Sequence, residues 1–438
     1  MFLNILFKTF GCQINEYDTY RIFELLQRVF YCNITTKIED ADVFILNSCA
    51  VRDKVEKKVV TTLNEWFPIQ KNKAVLIILM GCYTFLSHDI LSCINLVVKH
   101  KEITLIPTYI LDAVDSGFLT GARYIRKYGR GVSAQNGSHL SFFPLLKCTG
   151  PSVCVPISDG CNNYCTYCSV PYTRGVEVNR SVESILNDVG YYVQRGVKEI
   201  VLLGQNVNAY KTASGVTFSV LVNAIMLVKG VERVRFLTAN PNNLTDDLIE
   251  IYSNRKLVSH LHLPIQSGSD NVLGRMGRGY TYREYKEKLT SLRQVRPDIV
   301  VTTDIIVGFP GESSEDFLKT VSCIEEIGFD FSYCFIYSKR LGTLANDYID
   351  NVPRDVKQER LKKVQDIFLH NGKIISNKLL GTIQSVLFFG CIKGSIYWGK
   401  TDNNRTVLVT SVKDISGGMY KVKIINSVYN TFIAEMVD

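Results

Sequence analysis

The chain has no apolar run long enough to cross a membrane. The longest, Ala74 to Met80, falls far short of the roughly 20 residues that a spanning helix needs. No leader is expected from its first residues. Met1-Phe2-Leu3-Asn4-Ile5-Leu6-Phe7-Lys8 is too short for a secretory apolar core, no Arg/Ser-rich transit segment precedes it, and it runs directly into Gly11-Cys12. Internal repeats and low-complexity tracts are absent, and the balance of apolar and charged residues is not that of a disordered chain. Strong charge of one sign is missing too. Fifty Lys and Arg against 42 Asp and Glu leave a net charge of +8, which permits an anionic partner without establishing one. These absences predict a soluble, cytoplasmic protein without a membrane role. Cysteine, in contrast, is abundant. The 13 cysteines are odd in number and lack a secretory context, so metal or redox chemistry is expected rather than a disulfide framework.

At 438 residues the chain can hold two or three domains. Apolar runs Asn4 to Thr9, Asp42 to Asn47 and Ala74 to Met80 read as buried strands. Helical spacing over Ile14 to Phe30 and Val51 to Trp66 lies between them, which predicts a parallel sheet with helices on its faces. From Asp115 to Ser141 Gly, Ser, Arg and Lys accumulate, densest in Gly121 to Gly131, as in a linker or surface loop. A longer series follows, with strands expected at Cys154–Ser158, Glu199–Gly204, Val234–Ala239, His260–Ile265, Val300–Val307 and Phe331–Tyr337. Ser181 and Thr245 stand at helix-starting positions. Six such units imply an open, partial barrel with its active site at the C-terminal strand ends. Pro353 opens a long helix that Gly381 ends. Short runs Gln384–Phe389, Thr406–Val409 and Tyr420–Ile425 then read as a small β-barrel. Domain limits are drawn at 1–120, with a linker at 121–146, then 147–377 and 378–438.

The sharpest chemical signal is Cys161-Asn162-Asn163-Tyr164-Cys165-Thr166-Tyr167-Cys168. Three thiolates on one compact loop can each ligate one iron of a cubane and leave the fourth iron open to a small molecule. Zinc is the competing metal, but its structural sites favour paired Cys-x2-Cys knuckles and a closed fourth position. Cys12, Cys49 and Cys82 each stand just beyond one of the first three strands. In a parallel sheet those ends lie side by side. The residues alone leave open a second cluster or three unrelated cysteines, and the first reading is preferred. Cys32, Cys93, Cys323, Cys334 and Cys391 read as small apolar residues, as do Cys148 and Cys154.

The chain resembles the MiaB-type tRNA methylthiotransferases of the radical S-adenosylmethionine superfamily, over nearly its whole length. The resemblance rests on Lys8 to Asp18, Asn47 to Arg52, Gly81-Cys82, Asp159 to Cys168, Val170 to Gly175, Gly204 to Tyr210, Leu261 to Ser269 and Asp304 to Glu312, with Asp402-Asn403-Asn404-Arg405 similar to a TRAM RNA-binding module. It implies an α/β protein with a flavodoxin-like N-terminal parallel-sheet domain, a partial (β/α)6 radical barrel and an all-β TRAM barrel. It further implies two [4Fe-4S] clusters, the auxiliary one on Cys12, Cys49 and Cys82 and the radical-generating one on Cys161, Cys165 and Cys168. The implied reaction uses two S-adenosylmethionine molecules. One methylates a cluster-bound sulfur; the other yields a 5′-deoxyadenosyl radical that takes hydrogen from carbon 2 of N6-(dimethylallyl)adenosine at tRNA position 37. An unactivated aromatic C–H offers nothing to an acid–base pair, so a radical is required.

Gly204, Gln205, Asn206, Gln266, Ser267 and Gly308, at strand ends or turns, are candidates for cofactor or substrate contacts. Arg174 and Glu177 are candidates for an active-site ion pair or a cofactor contact, and His262 for either the core or the pocket. Lys393, Lys400, Arg405, Lys413, Lys421 and Lys423, with Tyr397 and Trp398, are candidates for RNA contacts, against a plain solvated module. The expected partners are the tRNA anticodon loop and an electron donor such as flavodoxin or ferredoxin, and the expected state is a monomer. Two motifs depart from the family, Leu341-Gly342-Thr343-Leu344 in place of Pro-Gly-Thr-Pro, and Tyr83-Thr84-Phe85-Leu86 after Cys82. The rivals are a related enzyme acting on a ribosomal-protein aspartate or on threonylcarbamoyl-adenosine, and a two-cluster electron carrier or scaffold.

Overall fold

The computed structural model describes residues 2–49, 53–82, 93–119, 150–428 and 431–437. The linker at 121–146, Cys148 and the Tyr83–Leu86 segment lie outside them. β1 (Leu3–Phe10), β2 (Cys32–Ile34), β3 (Val43–Ser48), β4 (Leu76–Gly81) and β5 (Leu96–Val98) form a parallel sheet in the order β2-β1-β3-β4-β5, the flavodoxin-like order. Alternate residues of its central strands feed opposite faces. Ile5, Ile45 and Ile78 pack against Ile22, Leu26 and Val29 of the helix Gln13–Val29 and against Ile106 and Ile110 of the helix Ile106–Asp115. Leu6, Phe44, Leu46 and Leu79 pack against Val59, Leu63 and Trp66 of the helix Asp53–Asn72. With both faces covered, the strands read as continuous apolar runs rather than as alternation. The edge strands β2 and β5, three residues each, are too short to show a period and are absent from the sequence reading.

β6 (Ser152–Pro156) begins the second unit. A two-stranded ribbon, β7 (Ser158–Asp159) with β8 (Val178–Asn179), frames the cysteine loop. β9 (Glu199–Leu203), β10 (Arg233–Phe236), β11 (His260–His262), β12 (Val300–Val307) and β13 (Phe331–Ile336) follow. β6, β9 and β10 form one parallel sheet and β11, β12 and β13 another; a parallel bridge between Val234 and Leu257 connects them. The six expected strands are all present, most of them shorter than expected at the C-terminal end. There the chain leaves the ladder to form site loops. Helices wrap the outside around one large apolar core. Ser181 caps its helix, its Oγ accepting from Ser184 N at 3.2 Å, whereas Thr245 occupies the cap position without a side-chain cap bond.

The helix Arg354–Leu379 starts directly after Pro353 and leads to β14 (Ile383–Lys393), β15 (Ile396–Thr401), β16 (Thr406–Thr410), β17 (Met419–Val428) and β18 (Thr431–Met436). These close into a barrel around Val386, Phe388, Val407, Val422 and Phe432. Its Thr401–Arg405 turn is docked on the N-terminal ends of the central strands. Arg233 reaches Asp402 at 2.7 Å and the Lys400 carbonyl at 3.0 Å; Arg405, buried, pairs with Asp330 and donates to Ser376 Oγ at 2.7 Å. Arg405 is therefore withdrawn from the candidate RNA surface, and Lys400 is half-buried beside it. Tyr397 belongs to the barrel core, whereas Trp398 stacks on Phe389 outside it, centroids 4.7 Å apart. Among the described residues no helix is long and apolar enough to cross a membrane.

Candidate active site

The first three cysteines stand in register. Phe10 is paired with Ser48, and Ser48 with Gly81, so Cys12, Cys49 and Cys82 leave three adjacent strands at one edge of the sheet. A buried amide pair braces this edge. Asn15 Nδ2 donates to Asn47 Oδ1 at 2.9 Å, and Asn47 Nδ2 returns a bond to the Asn15 carbonyl at 2.8 Å. Asn15 also accepts from the Cys12 amide at 3.2 Å, which sets the turn that presents this exposed cysteine. Cys82 N donates to the Ser48 carbonyl at 2.7 Å, and Gly81 holds φ +99° where an added Cβ would lie 2.3 Å from that same oxygen. Asn15 stands in the first turn of the helix Gln13–Val29 and Asn47 at the polar end of the otherwise apolar β3. Burial pushes the Cys82 thiol up, partly offset by Arg174, whose Nε donates to Cys82 Sγ at 3.0 Å.

The second triplet occupies the loop after β7. Cys161 and Cys165 are buried and Cys168 half-buried. The loop is tied to its surroundings at several points: Cys161 N to the Gly175 carbonyl, Thr166 N to the Met276 carbonyl, and Ala345 N to the Thr166 carbonyl at 2.8 Å. The departing turn Leu341–Leu344 thus leads straight into a brace of the cysteine loop. Tyr167 packs beneath, against Met276, Phe309, Tyr337 and Ala345. Arg278, unnoticed in the sequence, donates to Cys165 Sγ at 3.2 Å, to the Pro264 carbonyl at 2.9 Å and to Tyr280 Oη at 2.8 Å. Its signal was the Gly277-Arg278-Gly279 run, whose glycines both sit in the left-handed region. Burial raises the Cys161 and Cys168 thiols, the latter to about 12, and neighbouring cysteines of the triplet add to both shifts. Among the described residues no three Cys, His, Asp or Glu side chains converge as they would around a single metal ion.

A cavity of about 830 Å³ opens beside this loop, lined by Tyr167, Cys168, Gln266, Asp304, Ile306, Tyr333 and Phe335. That volume suits a cofactor with part of a substrate. Gln266 lines it with φ +76°, a left-handed backbone at a strand end that a side-chain-bearing residue rarely adopts. Around the strand ends Ser158 Oγ, Gln205 Oε1, Asn206 Oδ1 and Asp304 Oδ1 are buried without a hydrogen-bond partner among the described residues. His262 is half-buried on β11, its Nδ1 3.0 Å from Thr302 Oγ1, its Nε2 3.6 Å from Asp304 and its ring 6.4 Å from that of Tyr333.

Other candidates have partners of their own. Ser267 is wholly buried, its Oγ 3.1 Å from Thr320 Oγ1 and accepting from Ser269 N. The Gly308 amide donates to Glu312 Oε2 at 2.7 Å, and an added Cβ there would meet Lys357. Gly204 packs so closely on Ser158 that a Cβ would come within 2.4 Å of its hydroxyl. Arg174 forms no ion pair with Glu177. It pairs instead with Asp18 and Asp159, both at 3.0 Å, while Glu177 Oε1 accepts from Asn179 Nδ2 and its amide donates to Asn162.

The radical SAM superfamily profile matches residues 155–324, and that of an uncharacterized protein family, UPF0004, matches residues 4–99. A tRNA-2-methylthio-N(6)-dimethylallyladenosine synthase of Francisella tularensis subsp. holarctica (strain LVS) is 38% identical over 445 aligned positions, covering 99% of each chain. The chain belongs to the tRNA-2-methylthio-N(6)-dimethylallyladenosine synthase family. Another member, from Francisella philomiragia subsp. philomiragia, is 37% identical over the same share. Among solved structures, the radical S-adenosylmethionine methyltransferase TsrM from Kitasatospora setae, with tryptophan and a SAM analog bound, superposes with a TM-score of 0.59 over 79% of this chain and 75% of that one, at 13% identity, a likeness of fold. The family's cofactors are [4Fe-4S] clusters and S-adenosylmethionine. The residues here fit them: two sets of three soft thiol donors, and beside one set a cavity edged by unsatisfied polar atoms.

Proposed function

We propose that this chain catalyses methylthiolation of carbon 2 of N6-(dimethylallyl)adenosine at position 37 of tRNA, with two S-adenosylmethionine molecules, one the methyl donor and one the radical source. The observation that carries this reading is the presence of two separate cysteine triplets, one on a sheet edge and one beside a cavity, in a chain collinear with the synthases. Cys161, Cys165 and Cys168 would hold the cluster at the cavity, and Cys12, Cys49 and Cys82 the auxiliary one. When bound, these groups supply the reductive cleavage that makes the radical and the sulfur that is transferred. The chain's own residues bind and shield. Gln205, Asn206, Gln266, Ser158 and Asp304 offer acceptors and donors to the cofactor's polar groups. Ile306, Tyr333 and Phe335 line the cavity with apolar and aromatic surface that fits an adenine carrying a five-carbon substituent and keeps water from the reacting carbon.

Domain limits at 1–120, 147–377 and 378–438, a cytoplasmic location, a monomeric state and a flavodoxin- or ferredoxin-type reductant belong to the same proposal. The RNA surface is assigned to the exposed Lys393, Lys413, Lys421 and Lys423 of the last barrel, with Trp398. The test is mass analysis of tRNA nucleosides from a strain lacking the gene. Loss of the methylthio-dimethylallyl nucleoside, with its unmodified precursor accumulating, is the expected result. An unchanged nucleoside profile with a changed ribosomal protein would transfer the reading to the related enzyme.

A further inference from the structure

The Arg174 guanidinium lies where the first domain meets the barrel and is almost wholly buried. Its three nitrogens reach three acceptors on different segments, and Nη1 also lies 3.1 Å from His100 Nε2. Nε donates to Cys82 Sγ at 3.0 Å, Nη1 to Asp159 Oδ1 at 3.0 Å, and Nη2 to Asp18 Oδ2 at 3.0 Å. His100 Nε2 stands 2.6 Å from the other Asp159 oxygen. Cys82, Asp18 and His100 come from the first domain; Asp159 and Arg174 come from the barrel. Asp159 is joined to Cys161 only through Gly160. That glycine holds φ +83°, and a Cβ there would lie 2.3 Å from the Val176 carbonyl, so the link has little freedom. A single planar cation is thereby fastened to a thiol of one triplet and to the root of the other.

We propose that Arg174 is a positioning residue for the auxiliary cluster: it donates to the Cys82 sulfur, raises that cluster's reduction potential, and fixes it relative to the cysteine loop of the barrel. The inference rests on the two-cluster reading above. A sulfur that ligates iron keeps lone pairs for a donor, and hydrogen bonds to ligand sulfurs are among the factors that set cluster potentials. The N–H draws electron density from the sulfur and favours the reduced, more negative cluster. The fixed fork of the guanidinium is what allows three directions to be met at once; a lysine ammonium retains the charge but not that geometry.

The test uses full-length protein carrying Cys161→Ala/Cys165→Ala/Cys168→Ala, which leaves the auxiliary site alone to be read. Arg174→Gln and Arg174→Lys are added to this parent, and iron, sulfide and the midpoint potential are measured by mediated titration followed by electron paramagnetic resonance. The expected result is one cubane throughout, a midpoint moved to more negative values by Arg174→Gln, and a smaller movement in Arg174→Lys. Equal midpoints in parent and Arg174→Gln overturn the inference while leaving the cluster assignment intact. A parent that holds no cubane overturns the cluster assignment, and this inference with it. If neither arginine variant loads, the same substitutions in otherwise wild-type protein decide: loss of one cubane of two supports the positioning role, and loss of both overturns it in favour of a general folding role.

Discussion

Each cysteine triplet has one arginine bonded to one of its sulfurs, Arg174 at Cys82 and Arg278 at Cys165. Arg278 differs in what its other nitrogens hold. They grip the Pro264 carbonyl and Tyr280 Oη, and Tyr280 in turn donates to the Ile265 carbonyl at 3.0 Å, so the strand end just before Gln266 is fixed by the same side chain that touches the cysteine loop. Arg278→Lys is expected to lower methylthiolation about 10- to 100-fold, the usual cost of losing a ligand's supporting contact, while iron content stays at wild-type values. Single-turnover assays beside iron analysis check this. Full activity in Arg278→Lys would show the fork to be dispensable. Neither arginine was assigned its partner from sequence, for a plain reason. Asp18 is 156 residues from Arg174 and Cys165 is 113 from Arg278, separations that no local pattern reports.

Elements were easier to read than side-chain partners, because periodicity is local. β12 is legible to the residue because its run of β-branched residues is broken only by Asp304, although its burial alternates between the barrel core and the lumen. The short strands β2, β5, β15 and β18 escaped notice because three to six residues between turns carry little period. The strand-end cysteines were legible as a site because ends of adjacent parallel strands must lie together; the roles of Ser267 and Gly308 were not, because packing against the helices Ser314–Ile327 and Arg354–Leu379 decides them. The turn after β11 illustrates this. Gly268 touches the helix Ser314–Ile327 so closely that a Cβ would come within 2.8 Å of Thr320 Cα and 2.6 Å of the Lys319 carbonyl. Those are backbone atoms and cannot rotate away. Gly268→Ala is expected to destabilise the protein by about 1–3 kcal/mol. At the start of the same helix Asp316 accepts from Ser313 N and Oγ and from Ser269 Oγ, and Asp316→Ala is expected to cost about 1–2 kcal/mol through the lost cap. Urea unfolding of both variants measures these changes, and a Gly268→Ala protein as stable as wild type would show that the turn can move aside.

At the scale of the molecule, the last barrel is fastened to the base of the central one, and the cavity runs from the cysteine loop along β13 down to that base, where Asp330, Phe331 and Ser332 line it. Glu199, Arg233 and Asp330 stand at or beside the N-terminal ends of β9, β10 and β13, and Asp402 and Arg405 are plugged in among them. This separates two kinds of basic residue that look alike in sequence. Arg405 is a buried half of an ion pair, and removing it leaves the Asp330 carboxylate buried without its cation. Arg405→Ala is expected to destabilise by about 3–5 kcal/mol, and, where the protein remains folded, to leave the salt dependence of tRNA binding unchanged. Lys393 and Lys421 are exposed on the barrel's outer face. Lys393→Ala/Lys421→Ala is expected to leave the melting temperature near that of wild type and to flatten the slope of log K against log salt by about 1.5, since each lost phosphate contact removes ~0.7–0.9 from it. Filter binding at several salt concentrations, paired with thermal unfolding, reads both variants. A slope that falls with Arg405→Ala and stays fixed with the lysine pair would reverse the assignment. The RNA would then have to approach the docked face, and the fastening of the two barrels would have to open for each substrate.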